Sequence, residues 1–172
     1  NQGYRSVVLA PGNYGEDFAT NVLGIPPHRI VNMSNFVGHV LKEVQRIGFT
    51  RVLMVGHMGK FVKVAGGIFS THSKDSDARM EIIMANLALL GAPVELLEKV
   101  DQCITTDAAG TFIEEYHYEE VYQVLVDKMK FRSERLLRNR KPEVSIDVVT
   151  FGTEAGYLAS TQTLEEIAEE WT

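Results

Sequence analysis

Arg51-Val52-Leu53-Met54-Val55-Gly56-His57-Met58-Gly59-Lys60 decides the fold. Residues 51–56 form an apolar, partly β-branched run that stops at a glycine, which predicts a strand. The segment before it, 34–48, has Ser34 as a candidate N-cap. Val37, Val40, Leu41, Val44 and Ile47 then fall on one face at helical spacing, and Gly48 closes the helix. Further back, 29–32 reads as a short strand. Residues 16–23 read as a helix with Glu16 and Asp17 in its first turn, and 5–10 as a strand ended by Pro11-Gly12. Strand, helix, strand, helix, strand predicts a parallel sheet.

Downstream of the key strand the pattern changes. Residues 57–73 match no regular element beyond a helical turn over 60–65. Ser76 or Asp77 is placed to cap a helix carrying Met80, Ile83, Met84, Leu87 and Leu90, which Gly91 and Pro93 end. A short helix follows over 94–100, then one capped by Thr106 or Asp107, then a long one over 118–140. Residues 144–151 are the last clear strand. A turn at 152–156 leads to a short returning strand at 157–159, and Leu164, Ile167 and Trp171 mark a terminal helix. The expectation is a single three-layer α/β/α domain over 1–172, with a largely parallel sheet and a helix-rich second half.

Composition narrows the function. The length of 172 residues and 45% hydrophobic content suit one folded domain. No apolar run approaches the roughly 18 residues of a membrane span. Residues 1–6 lack a basic-then-apolar leader, and a start at Asn1 reads as a piece of a longer chain. The lone Cys103 cannot form an internal disulfide, which fits a reducing cytoplasm; it reads as a small packing residue. None of the five histidines shows paired ligand spacing, so no protein-held metal is expected. No GxSxG occurs. A net charge of −6 argues against nucleic acid as partner. Charge is uneven, however: Arg51, Lys60, Lys63, Lys74 and Arg79 against Asp75 and Asp77 give residues 51–80 a charge of +3. A cationic stretch in an acidic protein points to an anionic small molecule.

Three segments can carry chemistry. Gly12-Asn13-Tyr14-Gly15-Glu16-Asp17 lies between a strand and a helix, where free N–H groups hold anions. Gly56-His57-Met58-Gly59-Lys60 through Lys63 and Gly66-Gly67 follows the next strand. It is neither a P-loop nor a dinucleotide fingerprint, because the spacing and order are wrong. Phe69 to Arg79 packs Ser70, Thr71, His72, Ser73, Lys74, Asp75, Ser76 and Asp77 into one polar run suited to orienting carboxylates or moving protons. For each, the plain alternative is a turn, a solvated face or a helix cap.

In order along the chain, Gly12-Asn13-Tyr14-Gly15-Glu16-Asp17-Phe18-Ala19, Met33-Ser34-Asn35-Phe36-Val37-Gly38 and Val55-Gly56-His57-Met58-Gly59-Lys60 resemble the cobalt-precorrin-5B C1-methyltransferase family. The likeness continues through Lys63-Val64-Ala65-Gly66-Gly67-Ile68-Phe69-Ser70-Thr71-His72-Ser73, Asp77-Ala78-Arg79-Met80-Glu81 and Leu89-Leu90-Gly91-Ala92. It implies the C-terminal part of a two-domain cytoplasmic enzyme. That enzyme transfers a methyl group from S-adenosylmethionine to C1 of cobalt-precorrin-5B, giving cobalt-precorrin-6A in anaerobic cobalamin biosynthesis. Cobalt would arrive with the polycarboxylated substrate, and the missing N-terminal domain would be a partner; a homo-oligomer is left open. The resemblance implies Gly12, Asn13, Gly15, Ser34 and Asn35 on the donor. It implies Gly56, Gly59, Lys60, Lys63, Gly66, Gly67, Thr71, Ser73, Asp77 and Arg79 on the substrate, with His57 and His72 as catalytic groups. The rival readings are a non-catalytic binder of an anionic tetrapyrrole and a nucleotide- or phosphate-binding module.

Overall fold

A computed structural model describes residues 5–172; the expectations placed on residues 1–4 lie outside them. Five strands form one sheet: β1 (Ser6–Ala10), β2 (Ile30–Asn32), β3 (Arg51–His57), β4 (Ser145–Gly152) and β5 (Gly156–Ser160). Their order is β2-β1-β3-β4-β5, parallel except for β5, which returns antiparallel to β4. Eight helices surround it: α1 (Gly12–Asn21), α2 (Val37–Ile47), α3 (Met58–Ala65), α4 (Arg79–Leu89), α5 (Val94–Asp101), α6 (Thr106–Glu115), α7 (Val121–Leu137) and α8 (Leu164–Trp171).

Strand periodicity sorts the core into two layers. Val8, Leu53, Val55, Val149 and Phe151 face α1 and α8, meeting Phe18, Ala19, Ile167 and Trp171. Val7, Leu9, Val52, Met54, Ile146 and Val148 face the other way, against α2 to α7. The three-layer α/β/α expectation is therefore met. The carboxyl ends of β1, β3 and β4 open side by side, where ligands bind in open α/β sheets.

Several local expectations are corrected. Helix α1 begins at Gly12, not at 16, so Glu16 and Asp17 sit in its second turn. Packing overrides propensity there: a Cβ on Gly15 would stand 2.9 Å from the Val55 carbonyl oxygen, so the glycine lets α1 lie directly on β3. Ser34 does not cap α2; it takes a positive φ of 50°, its N–H donates to Asn32, and the helix starts three residues later. The N-cap position of α4 is Ala78, without a side-chain bond; Asp77, one residue earlier, accepts the Arg79 N–H at 3.5 Å, and Ser76 takes no part. The cap of α6 is Thr105, accepting from the Ala108 N–H. The long helix is shorter at both ends than 118–140. Residues 58–65 form a complete helix. Met58, Phe61, Val62, Lys63, Val64 and Ala65 are all buried, and Gly59 and Lys60 are part-exposed.

Candidate functional site

The turn from β3 into α3 places the first group. His57 ends the strand and caps the helix: its Nδ1 accepts the Gly59 N–H at 2.9 Å. The neutral ring therefore carries its proton on Nε2, 3.0 Å from Thr153 Oγ1. The Thr153 hydroxyl in turn donates to Asp107 Oδ2 at 2.8 Å, and the Thr153 N–H donates to Asp107 Oδ1. The chain His57–Thr153–Asp107 thus joins the tip of β3, the β4–β5 turn and the first turn of α6. Burial raises the Asp107 pKa, but the two bonds from Thr153 and the neighbouring imidazole outweigh it, holding the carboxyl below its ordinary value. Asp107 is a carboxylate at neutral pH.

Lys60 stands one turn into α3. A Cβ on Gly12 would lie 3.7 Å from its Nζ, so the starts of α1 and α3 adjoin. Lys60 makes no hydrogen bond or ion pair among the described residues. Arg79, at the start of α4, is held by Asp77 at 2.9 Å and donates to the Ile104 carbonyl. These groups rim a cleft of about 720 Å³. Tyr14 and Phe18 of α1 lie on one side, Gly59 and Thr106 on another, and Phe151 to Thr153 beyond. Phe18 and Phe151 stack at 4.2 Å, with the edge of His57 against Phe151. Thr106 Oγ1 is buried without a partner among the described residues, 3.4 Å from where a Cβ on Gly59 would stand. The cleft is apolar in its floor, has Lys60 and Arg79 on its rim with Asp17 and Asp107 also in its lining, and lies at the strand tips.

The other sequence-read residues divide. Gly12 and Asn13 begin α1 beside Lys60, although the Gly12 N–H is already taken by Asn32 Oδ1. Gly15, Gly56 and Gly66 serve packing: a Cβ on Gly56 would stand 2.6 Å from the Phe61 ring and one on Gly66 2.6 Å from Ile82. Gly67 turns at positive φ beside Arg132. Asn35 is tied to Thr71, whose N–H and hydroxyl both donate to it. Lys63 is 2% exposed and donates to the carbonyls of Thr71 and Ser76. It holds the 70–77 loop from inside and does not line the cleft, because both partners lie in the loop. His72 accepts the Lys74 N–H and, like Ser73, lies outside the cleft. Of Gly12, His57 and His72, expected around one hollow, only His57 lines the cleft; Gly12 lies next to it, beside Lys60. His57 also has both ring nitrogens engaged, so taking a proton would require Nδ1 to release Gly59.

Cys103 donates to the Lys99 carbonyl, and burial raises its pKa, which fits the packing role read for it. No group of three His, Cys, Asp or Glu residues able to hold a metal occurs among the described residues. No helix there is long and apolar enough to cross a membrane.

Asp107 and Thr153 were not legible as site residues. One signal existed: Thr105-Thr106-Asp107 offers three capping side chains for one position, leaving two spare.

Comparison with known proteins adds the family. The model of the CbiD C-terminal domain matches residues 70–162, more than half of the chain. A protein of Listeria monocytogenes serotype 4a named cobalt-precorrin-5B C(1)-methyltransferase is 59% identical over 171 residues, covering 99% of this chain and 46% of the relative. Relatives of the same name from Clostridioides difficile and Citrobacter koseri are 42% and 44% identical over 168 residues; each match covers 98% of this chain, and 41% and 44% of the relative. The chain thus spans less than half the length of these curated relatives. No solved structure matches. On the family-model match and the identity across nearly its whole length, the chain belongs to the CbiD family, as its C-terminal domain.

Proposed function

We propose that this chain is the C-terminal part of an S-adenosylmethionine-dependent C-methyltransferase. The whole enzyme methylates C1 of cobalt-precorrin-5B, giving cobalt-precorrin-6A in anaerobic cobalamin synthesis in the cytoplasm. One observation carries the reading on this chain: an apolar cleft at the strand tips with an unpaired lysine, Lys60, and the guanidinium of Arg79 on its rim. A corrin precursor is a broad apolar ring edged with carboxylates. The Phe18–Phe151 floor suits the ring, and the two cations suit carboxylates at its edge.

The donor supplies an already activated methyl group. The sulfur–methyl bond breaks with its electron pair going to sulfur, the C1–methyl bond forms, and S-adenosylhomocysteine leaves. The chain's own residues orient and shelter the reactants. The residues present fit a cationic donor, since Asp107 is a carboxylate at the cleft wall beside the orphaned Thr106 hydroxyl. Cobalt belongs to the substrate.

The test uses the full-length enzyme and a cobalt corrinoid polycarboxylate. Lys60→Ala is expected to weaken corrinoid binding about tenfold, ~1.4 kcal/mol, in a titration followed by absorbance. Corrinoid affinity unchanged in Lys60→Ala, or tighter binding of ATP than of the corrinoid, removes the reading.

A further inference from the structure

The far side of the Asp107–Thr153 wall opens into a second cleft of about 1010 Å³. Thr106, Asp107, Gly152 and Thr153 line both hollows, so one wall separates them. Asp107 is 42% exposed in its side chain, and the wall is therefore a rim over which the hollows communicate. The second cleft is the more acidic: the first sets Lys60 and Arg79 beside Asp17 and Asp107, and the second has carboxylates alone. Asp107, Glu114, Glu119 and Glu154 line it, with no lysine or arginine.

Tyr122 gives this cleft a second, independent mark. It projects from α7 and is only 7% exposed, yet it lines the cleft. Its hydroxyl makes no hydrogen bond among the described residues. A Cβ on Gly110 would stand 3.0 Å from that oxygen, so the bare glycine keeps the space over the hydroxyl clear. The ring is enclosed while the oxygen borders the cleft, where a ligand acceptor can take its hydrogen bond. Burial, then the charges of Asp107, Glu119 and Glu114, push the phenol pKa up to about 12. The group therefore stays a neutral hydrogen-bond donor at physiological pH, with those carboxylates around it.

We propose that the second cleft seats the methyl donor, a sulfonium cation, with the Tyr122 hydroxyl and the Glu114 carboxylate as its principal contacts. The inference rests on the methyltransferase reading and divides the labour within it: polycarboxylated acceptor on the cationic side of the wall, cationic donor on the acidic side. The same charges that draw in a sulfonium repel the acceptor, so each reactant is kept from the other's seat. The carboxylates are spread along the cleft rather than gathered, since no metal-holding group of three occurs among the described residues. Spread carboxylates match an extended organic cation better than a metal ion.

Calorimetry on the full-length enzyme tests this with three probes: S-adenosylmethionine, S-adenosylhomocysteine with its uncharged sulfur, and a cobalt corrinoid polycarboxylate. Glu114→Gln is expected to weaken the sulfonium donor about tenfold and the uncharged product at most about threefold. Tyr122→Phe is expected to weaken donor binding about fivefold without lowering the thermal midpoint. Both variants should leave corrinoid affinity within about twofold. The placement is overturned if both variants bind donor as the wild type does, or if the loss falls on Lys60→Ala instead. A wild-type enzyme that binds no donor at all defeats the methyltransferase reading itself, a distinct result.

Discussion

Residues 57–60 and residues 70–77 carry nearly the same chemical alphabet, a histidine, a lysine and small or hydroxylic neighbours, yet only the first reaches the cleft. The difference lies in what precedes each. His57 and Lys60 follow β3 directly, so the strand end and the helix start hold them open to the space above the sheet. The 70–77 loop follows a helix and folds around a buried ammonium, with Lys63 donating to two of its carbonyls and His72 capping its own turn. Polar side chains in a row do not make a site. Their backbone must end where no other group already satisfies them.

The largest effect expected from breaking this contrast comes from Lys63→Met. It leaves two interior carbonyls without a donor, and urea unfolding should show a loss of about 2–4 kcal/mol. A loss below about 0.5 kcal/mol would mean the loop does not depend on the ammonium. Gly56→Ala comes next. The added carbon meets the buried Phe61 ring at 2.6 Å, and the overpacking should cost about 1–3 kcal/mol in the same assay. A stable Gly56→Ala protein would return that glycine to the list of ligand-contact candidates.

A third effect sharpens the comparison through charge. The +3 stretch expected at one site is scattered by the fold. Arg51 lies at the start of β3, paired with Asp147 at 2.6 Å and Glu170 at 2.7 Å, away from the strand tips. Burial raises the Asp147 pKa, but hydrogen bonds from Thr161 and Arg51 and the charge of Lys130 overcome it, so the folded value lies below the ordinary one. A depressed carboxyl stabilises the fold fully above its unfolded pKa, and that contribution fades as pH falls through the folded value. The stability gap between wild type and Asp147→Asn should therefore be constant near pH 7 and shrink below about pH 4 in denaturant titrations. A gap that widens in acid would contradict this. The smallest effects separate the two histidines. His57→Ala loses a helix cap and should cost about 1 kcal/mol, while His72→Ala should stay within about 0.5 kcal/mol.

Much of the sheet was legible because strands and helices here obey their own periods. The runs at 5–10, 51–56 and 144–151 all became strands of the core sheet, and the short return at 157–159 became β5. Helix α3 was hidden because it is short, with glycines at 59 and 66–67 and with Lys63 buried among its apolar residues. The site was half legible: glycine-rich strand tips announced Lys60 and His57, and Arg79 stood out as a cation at a helix start. Asp107 and Thr153 were not, because they reach the strand tips through the first turn of α6 and the β4–β5 turn; Glu114 and Tyr122 line the second cleft from α6 and α7. Only β3–β4 pairing and helix packing bring those segments beside His57. Gly15, Gly56 and Gly66, expected beside ligands, are also where α1, α3 and α4 approach their neighbours.

The central claim is that the cleft between the starts of α1 and α3 receives the cobalt-bearing macrocycle. Cobalt(II) is paramagnetic and broadens nearby amide signals, so a titration with a cobalt(II) corrinoid polycarboxylate maps the metal directly. The account predicts broadening confined to residues near 12–22, 57–60, 79, 105–107 and 151–156. Broadening centred on 70–77, with 57–60 left sharp, would contradict it.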